Sequence, residues 1–427
     1  MHAAGIRAAW SLALAALLLA VPGGPARAEG PLAPLGRMSL DRDETRLLAV
    51  FQAIHAQRYE EALERAERLV RANPGFRLAQ LVYADLLAAR GGVRLGLRRG
   101  RKAARVLADL REEARLRLAH YQNPPPPGRL PEVLVRVAPS ARRAVVVDVE
   151  RHRLYLLERG AGGELRLAAD YYVTTGKRGP FKRREGDQRT PVGVYFVTRR
   201  LDPSGLSDLY GAGAFPINYP NEWDLRQGRT GYGIWIHGVP AATYNRAPRA
   251  SDGCLALPNP NVRAIWDALE IGTTPVVITD RARWVGRERL AARRAELLGA
   301  IEQWRRDWES RDPGRYARHY AEDFRSERMD RARWLERKRR VNAAKRFVRV
   351  RLDDIGIYGY PGEPDMVVVS FRQDYRSSNY NRRSSKRQYW RRGADGRWRI
   401  LYEGLARFRP IHLRGIPFSA RSQTAQR

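Results

Sequence analysis

Four prolines and a glycine in a row, Pro124-Pro125-Pro126-Pro127-Gly128, constrain this chain more than any other feature. Proline has a fixed φ and no amide hydrogen, so the segment excludes helix and central strand and predicts a stiff, extended linker over 123–131. The text changes character across it. Before it, Ala and Leu recur at helical spacing in Tyr59-Glu60-Glu61-Ala62-Leu63-Glu64-Arg65-Ala66 and again from Ala79 to Leu87, predicting a helical region over 40–122. After it come short apolar runs punctuated by turn residues, which predict strands. At 427 residues the chain exceeds what one core usually organises, so several folded units are expected.

The helical region resembles one tetratricopeptide-like helix pair, with Asn73-Pro74-Gly75 at its turn and Ala79, Tyr83 and Ala84 in its second helix. Packing is its favoured role and docking the alternative. Strands are predicted in Ala144-Val145-Val146-Val147-Asp148-Val149, in Arg153-Leu154-Tyr155-Leu156-Leu157 and in Tyr171-Tyr172-Val173-Thr174-Thr175-Gly176. Others follow at 192–198, 233–237 and 275–279, with a short helix at 262–269. Together they predict a mainly β domain over 132–281, followed by a linker helix over 282–298. Ile301, Trp304 and Trp308, then eight residues on Tyr316, Tyr320 and Phe324, recur three or four apart within each trio, which predicts one helix face. Strands at 347–357, 366–375, 386–391 and 398–403 complete the pattern. Helices followed by a curling sheet, closing on Tyr-Trp-turn-Trp-Arg-Ile-Leu, resemble the NTF2-like cone, here over 299–408 and before a disordered tail at 409–427. The fold class is therefore multi-domain α+β.

Arg7, an apolar run over 8–21, the helix-breaking Pro22-Gly23-Gly24 and the small residues of Ala26-Arg27-Ala28 read as a secretory leader, residues 1–28, cleaved after Ala28. Its apolar run of about 14 residues is short for a bilayer span. The expectation is export to the periplasm with no stable membrane insertion after cleavage. The formal charge of +33 would attract polyanions, but the arginines are spread along the whole chain. No zinc-finger spacing, aromatic RNA-binding signature or heptad-linked basic region accompanies them, so a nucleic-acid partner is not expected.

The chain has one cysteine. In an oxidising compartment it cannot form an internal disulfide, so Cys254 is either an inert buried side chain or a thiol kept for its reactivity. Its neighbours decide. Ile234-Trp235-Ile236-His237-Gly238 ends a predicted strand, and Ser251-Asp252-Gly253-Cys254-Leu255 opens another 17 positions later, so a returning loop permits a thiol–imidazole contact. An imidazole can take the thiol proton and return it. Gly253 lets the backbone bend before the nucleophile, so that the amides of Gly253 and Cys254 could meet an oxyanion.

His-Gly, a loop, then Ser-x-Gly-Cys-hydrophobic resembles the signature of YkuD-type L,D-transpeptidases. Further matches are Val173-Thr174-Thr175-Gly176, Thr190-Pro191-Val192-Gly193-Val194-Tyr195 and Gly272-Thr273-Thr274-Pro275-Val276-Val277. The resemblance implies that Cys254 attacks a tetrapeptide stem of peptidoglycan, expels the terminal D-residue and holds the stem as a thioester for an amine or water to release. It implies His237 as base and then acid, the Gly238 carbonyl as orienter of its ring, and Tyr219 as a wall of the acyl site. Arg246 and Arg249, in the intervening loop, are candidates for substrate carboxylates, with Ser251 and Asp252 beside the nucleophile. Two positions depart from the family, which usually carries histidine at Asp252 and Asn or Arg at Ala256. This variant resembles the YafK/ErfK-like branch, some of whose members hydrolyse wall links. Asp252 would oppose thiolate formation unless paired, and Arg249 is the candidate partner.

Two alternatives stand beside the transpeptidase. One is an L,D-carboxypeptidase or amidase using water at the same site, and the other a non-enzymatic wall-binding protein. No metal motif is visible, and Gly91-Gly92-Val93-Arg94-Leu95-Gly96 lacks the Lys-Ser/Thr of a phosphate loop, so no cofactor is expected.

Overall fold

The computed structural model describes residue 32 and residues 39–93 and 100–406. The expected leader over 1–28 and the expected tail over 409–427 lie outside the described residues.

Four helices come first: α1 (Arg42–His55), α2 (Tyr59–Ala72), α3 (Arg77–Arg90) and α4 (Arg101–Gln122). Asp41 starts α1, its carboxylate accepting from the Asp43 and Glu44 amides at 2.9 and 2.8 Å. Leu47, Phe51, Leu63, Leu69, Leu78 and Val82 recur at helical spacing and are buried against one another as the core of this unit.

Beyond the prolines come β1 (Leu130–Pro131), β2 (Arg143–Asp148), β3 (Arg153–Arg159), β4 (Leu165–Tyr172), β5 (Thr175–Gly176), β6 (Gly193–Phe196) and β7 (Ala214–Pro216). A short helix, α5 (Glu222–Arg226), precedes β8 (Trp235–His237), β9 (Arg249–Ser251) and β10 (Leu255–Ala256). Helix α6 (Asn259–Ile265), β11 (Pro275–Thr279) and β12 (Trp284–Val285) end this part. The main sheet has the order β4-β3-β2-β11-β6, and a smaller one the order β10-β8-β7.

The run of apolar residues in β2 is explained by burial on both faces. Val145 and Val147 point into a core shared with Phe215, Ile236, Leu255 and Val262, which joins the two sheets and α6. Ala144 and Val146 point the other way, into a core that also contains Tyr358, Val368, Tyr389 and Leu401 of the C-terminal domain. The main sheet is thus the middle layer of the molecule. Each valine so enclosed contributes about 1.5–3 kcal/mol.

The C-terminal domain consists of α7 (Arg287–Glu309), α8 (Pro313–Ala317), β13 (Tyr320–Ser326), α9 (Arg331–Ala343), β14 (Val348–Gly359), β15 (Met366–Ser377), β16 (Tyr380–Arg392) and β17 (Trp398–Leu405). Its sheet has the order β13-β17-β16-β15-β14. The aromatic stripe does not form a single helix face. Ile301, Trp304 and Trp308 lie on α7, Tyr316 on α8, and Tyr320 and Phe324 on the strand β13. Arg311, at φ +64°, and Pro313 break the helix, and the aromatics meet again in one core because β13 folds back over α7. Helix α7 also runs without interruption across position 298, where the linker helix was expected to end.

The helical unit joins the main sheet through buried charges. Glu44, 0% exposed, accepts from Arg117 and Arg153 at 2.6 Å each, and Arg153 also reaches Asp170 at 2.6 Å. His120 Nε2 lies 2.7 Å from the same aspartate. Burial pushes the Glu44 carboxyl up, but Arg153 and Arg117 outweigh it and hold it below its ordinary range.

Candidate functional site

β8 and β10 run parallel, with Ile236 opposite Leu255 and His237 opposite Ala256. Ile236 and Leu255 face the core between the sheets, so the alternation of a strand sends Trp235, His237, Cys254 and Ala256 to the opposite face. Cys254 and His237 are therefore diagonal neighbours on that face. Cys254 is half-buried, and Trp235, Tyr210, Leu206 and Ala214 pack around it.

His237 Nδ1 lies 2.6 Å from the Gly238 carbonyl. A carbonyl only accepts, so Nδ1 carries the proton and Nε2 is the basic nitrogen. The Tyr210 ring stands edge-on to the imidazole at 5.2 Å. The turn after His237 is fixed from two sides. The Gly238 amide donates to Tyr210 O at 3.0 Å, and Asn259 bridges Val239 N, Val239 O and Ala212 N at 2.7–3.1 Å. A Cβ at Gly238 would meet Asn259 Oδ1 at 2.2 Å, so this position needs glycine.

The thiol donates to Gly233 O at 3.3 Å. Burial pushes the Cys254 thiol up to about 11, and burial also brings the His237 imidazole down to about 4. Both shifts favour a neutral thiol and a neutral imidazole over an ion pair at rest.

Gly253 has φ +129°, and Ser251 Oγ accepts from its amide at 3.1 Å while donating to Cys254 O at 2.7 Å. Ser251 thus shapes the turn into Cys254, and the Gly253 amide is engaged by it. Asp252 is exposed, and its partners are Lys177 at 2.7 Å and Gln188 at 3.0 Å. The hydrogen bond from Lys177 holds its carboxyl below the ordinary range. Arg249, the expected partner, pairs instead with Glu112 on α4 at 3.4 Å, because β9 turns its side chain outward to the helical unit. Arg246 is brought to the site. Its charge lowers the thiol and the imidazole alike, and it donates to Ala250 O.

Tyr219 is buried and donates to Thr230 O at 3.0 Å. It lines a groove of about 1100 Å³ that passes Gly233 and Trp235 and ends against Arg325 and Tyr402 of the C-terminal domain. Tyr210, Lys177 and Asn259 are site residues that sequence reasoning missed. Tyr210 and Lys177 reach the site from distant turns, Asn259 stands at the start of α6 five residues after Cys254, and no motif marks them.

The L,D-transpeptidase catalytic domain model, YkuD, matches residues 142–278. Residues 142–278 are a YkuD-type L,D-transpeptidase catalytic domain. The Cds6 C-terminal NTF2-like domain model matches residues 296–404, which make up the NTF2-like domain following it. Among solved structures, Bdellovibrio bacteriovorus Bd1075 is 29% identical over 66% of this chain and 99% of its own, with a TM-score of 0.57. The helical cell shape determining protein Pgp2 of Campylobacter jejuni is 28% identical over 64% of this chain and 95% of its own, with a TM-score of 0.54. Both alignments cover more of the chain than the L,D-transpeptidase domain alone. No curated protein sequence matches the chain.

Proposed function

We propose that this chain is an exported cysteine enzyme that acts on peptidoglycan tetrapeptide stems through a thioester on Cys254. The observation that carries this reading is His237, tied by Nδ1 to Gly238 O, on the same strand face as the only cysteine of the chain. His237 Nε2 takes the thiol proton as sulfur attacks the stem carbonyl. The imidazolium then gives that proton to the amine of the departing D-residue, leaving the stem as a thioester. The amides of Cys254 and Gly253 are the proposed oxyanion donors, and Gly253 exchanges its bond to Ser251 Oγ for the developing charge. In a second half-reaction an amine or water attacks the thioester, with His237 again as base. The likeness to a cell shape determining protein supports a role in wall remodelling. The leader over 1–28 supports a periplasmic location.

One feature favours water as the acceptor. Ala256, 1% exposed, stands opposite His237 where the family usually carries Asn or Arg, so no side-chain donor or acceptor at that position orients an incoming amine. Mass analysis of disaccharide-tetrapeptides after incubation with the protein separates the outcomes. Cross-linked dimers mean transfer, and tripeptide alone means L,D-carboxypeptidase trimming. Cys254→Ala must abolish both products. Turnover that survives the substitution overturns the reading.

A further inference from the structure

The loop between His237 and Cys254 is gripped by the helical unit. Tyr244 packs against Phe76 with ring centroids 4.2 Å apart and planes tilted by 30°, donates its hydroxyl to Asp41 Oδ1 at 3.1 Å and donates its amide to Gly75 O at 3.2 Å. Gly75 belongs to the turn between α2 and α3, where a Cβ would lie 2.8 Å from Ala242 O, so the two backbones touch. The second oxygen of Asp41 accepts from Asn261 on α6 at 2.8 Å, which bolts the start of α1 to the catalytic domain. Further along the loop, Glu113 of α4 is hydrogen-bonded by Asn245, and Glu112 pairs with Arg249.

Between these two anchorages lies Arg246. Its carbonyl is fixed by the hydroxyls of Tyr172 and Thr174 at 3.1 and 3.0 Å. Its guanidinium donates to Ala250 O and forms no ion pair among the described residues. A guanidinium has five donors in a planar fork suited to a carboxylate, so most of its capacity is unspent. Loops that carry binding groups are ordinarily mobile, and ordering one requires contacts from outside it. Here those contacts come from α1, the α2–α3 turn and α4.

We propose that the helical unit is a working part of the active site. It holds residues 241–249 so that Arg246 presents its guanidinium to a carboxylate of the peptide stem beside Cys254, with Tyr244 and Asp41 as positioning residues. This rests on the reading of Cys254 as the nucleophile. It gives the helices a function that packing alone does not: they set which stems the thiol accepts.

The test uses the full chain and two tetrapeptide stems, one with the diamino-acid carboxylate free and one with it amidated. Wild-type kcat/KM is expected to favour the free acid by about tenfold, and Arg246→Gln to bring the ratio to about one. Tyr244→Ala is expected to lower the ratio to below about threefold through KM, whereas Tyr244→Phe, which keeps the packing against Phe76, retains most of it. Val369→Ala, in the core of the C-terminal domain and outside the helical unit, controls for lost stability. It is expected to lower the melting temperature while leaving the ratio at its wild-type value. A wild-type ratio in Tyr244→Ala, or no preference in the wild type, overturns the proposal while the nucleophile reading stands. Failure of the wild type to process either stem, or processing that survives Cys254→Ala, overturns the nucleophile reading and this proposal with it.

Discussion

Lys177 Nζ stands 2.7 Å from Asp252 Oδ1, two residues from the thiol. The pair answers the question raised by a carboxylate so close to the proposed nucleophile. An unpaired Asp252 would oppose the charge that develops on sulfur, and the ammonium cancels it locally. Both side chains are largely exposed, so solvent screens the effect and it is modest. Lys177→Met is expected to slow acylation of Cys254 by a carbapenem about two- to fivefold at neutral pH, measured by the rate of adduct formation in a mass spectrometer. A rate unchanged in the variant would show that Asp252 is silent toward the thiol.

The neutral resting pair predicts a characteristic pH dependence. Small alkylating agents need thiolate, and with the Cys254 thiol at about 11 the rate of iodoacetamide labelling should climb about tenfold per pH unit above 7. Turnover should behave differently, because the proposed mechanism needs neutral His237. That residue remains neutral until the pH falls toward about 4, so turnover should hold level through the weakly acidic range. A labelling rate that plateaus near pH 7 would mean that the pair is already ionised.

The same histidine affects stability. Unfolded histidine binds a proton near pH 6.5, whereas buried His237 does not until about 4, so between these values the unfolded chain holds more protons. Stability contributed by neutral His237 is fully present above about pH 6.5 and is lost as the pH falls toward 4. Urea midpoints measured across pH 4–7 should rise with pH, and a flat profile would contradict the burial of this imidazole.

Much of the architecture is legible in the sequence for a physical reason. β2 is readable because both its faces are buried, and the turns beside His237 and Cys254 are readable because Gly238 and Gly253 stand where the backbone must bend. β13 is not. Tyr320 and Phe324 lie four apart, a spacing that continues the stripe of α7, and only the break at Arg311 to Pro313 separates strand from helix. α9 escapes as well, since Trp334 is its one fully enclosed apolar anchor and a polar helix shows no stripe. Pairs such as Lys177 with Asp252 are set by folding over 75 positions, which no local pattern encodes.

The buried charges between the helical unit and the main sheet make a fourth prediction. Glu44→Gln keeps the shape of the side chain but leaves Arg117 and Arg153, each 1% exposed, without the carboxylate they share. Breaking a buried pair in this way costs about 3–5 kcal/mol. Hydrogen exchange should show α1 and α4 losing protection first, because the cluster is what fastens them to β3 and β4. Equal protection in variant and wild type would show that apolar packing alone holds the unit in place.

The turn into the proposed nucleophile can be tested with a single methyl group. Gly253 has φ +129°, where side chains are strained, and a Cβ built there lies 2.6 Å from Arg189 O, a backbone atom that cannot swing away. Gly253→Ala must therefore displace either the turn or the 189–190 segment, whose Thr190 hydroxyl donates to Gly253 O at 3.1 Å. A displacement of the order of 1 Å in a reacting group costs about 100-fold in rate. Carbapenem acylation of Cys254 is expected to slow by about that factor. Under denaturing conditions the variant should still titrate one thiol, and its circular dichroism should match the wild type. Acylation within about threefold of wild type would show that the geometry of this turn does not set the reactivity of the thiol.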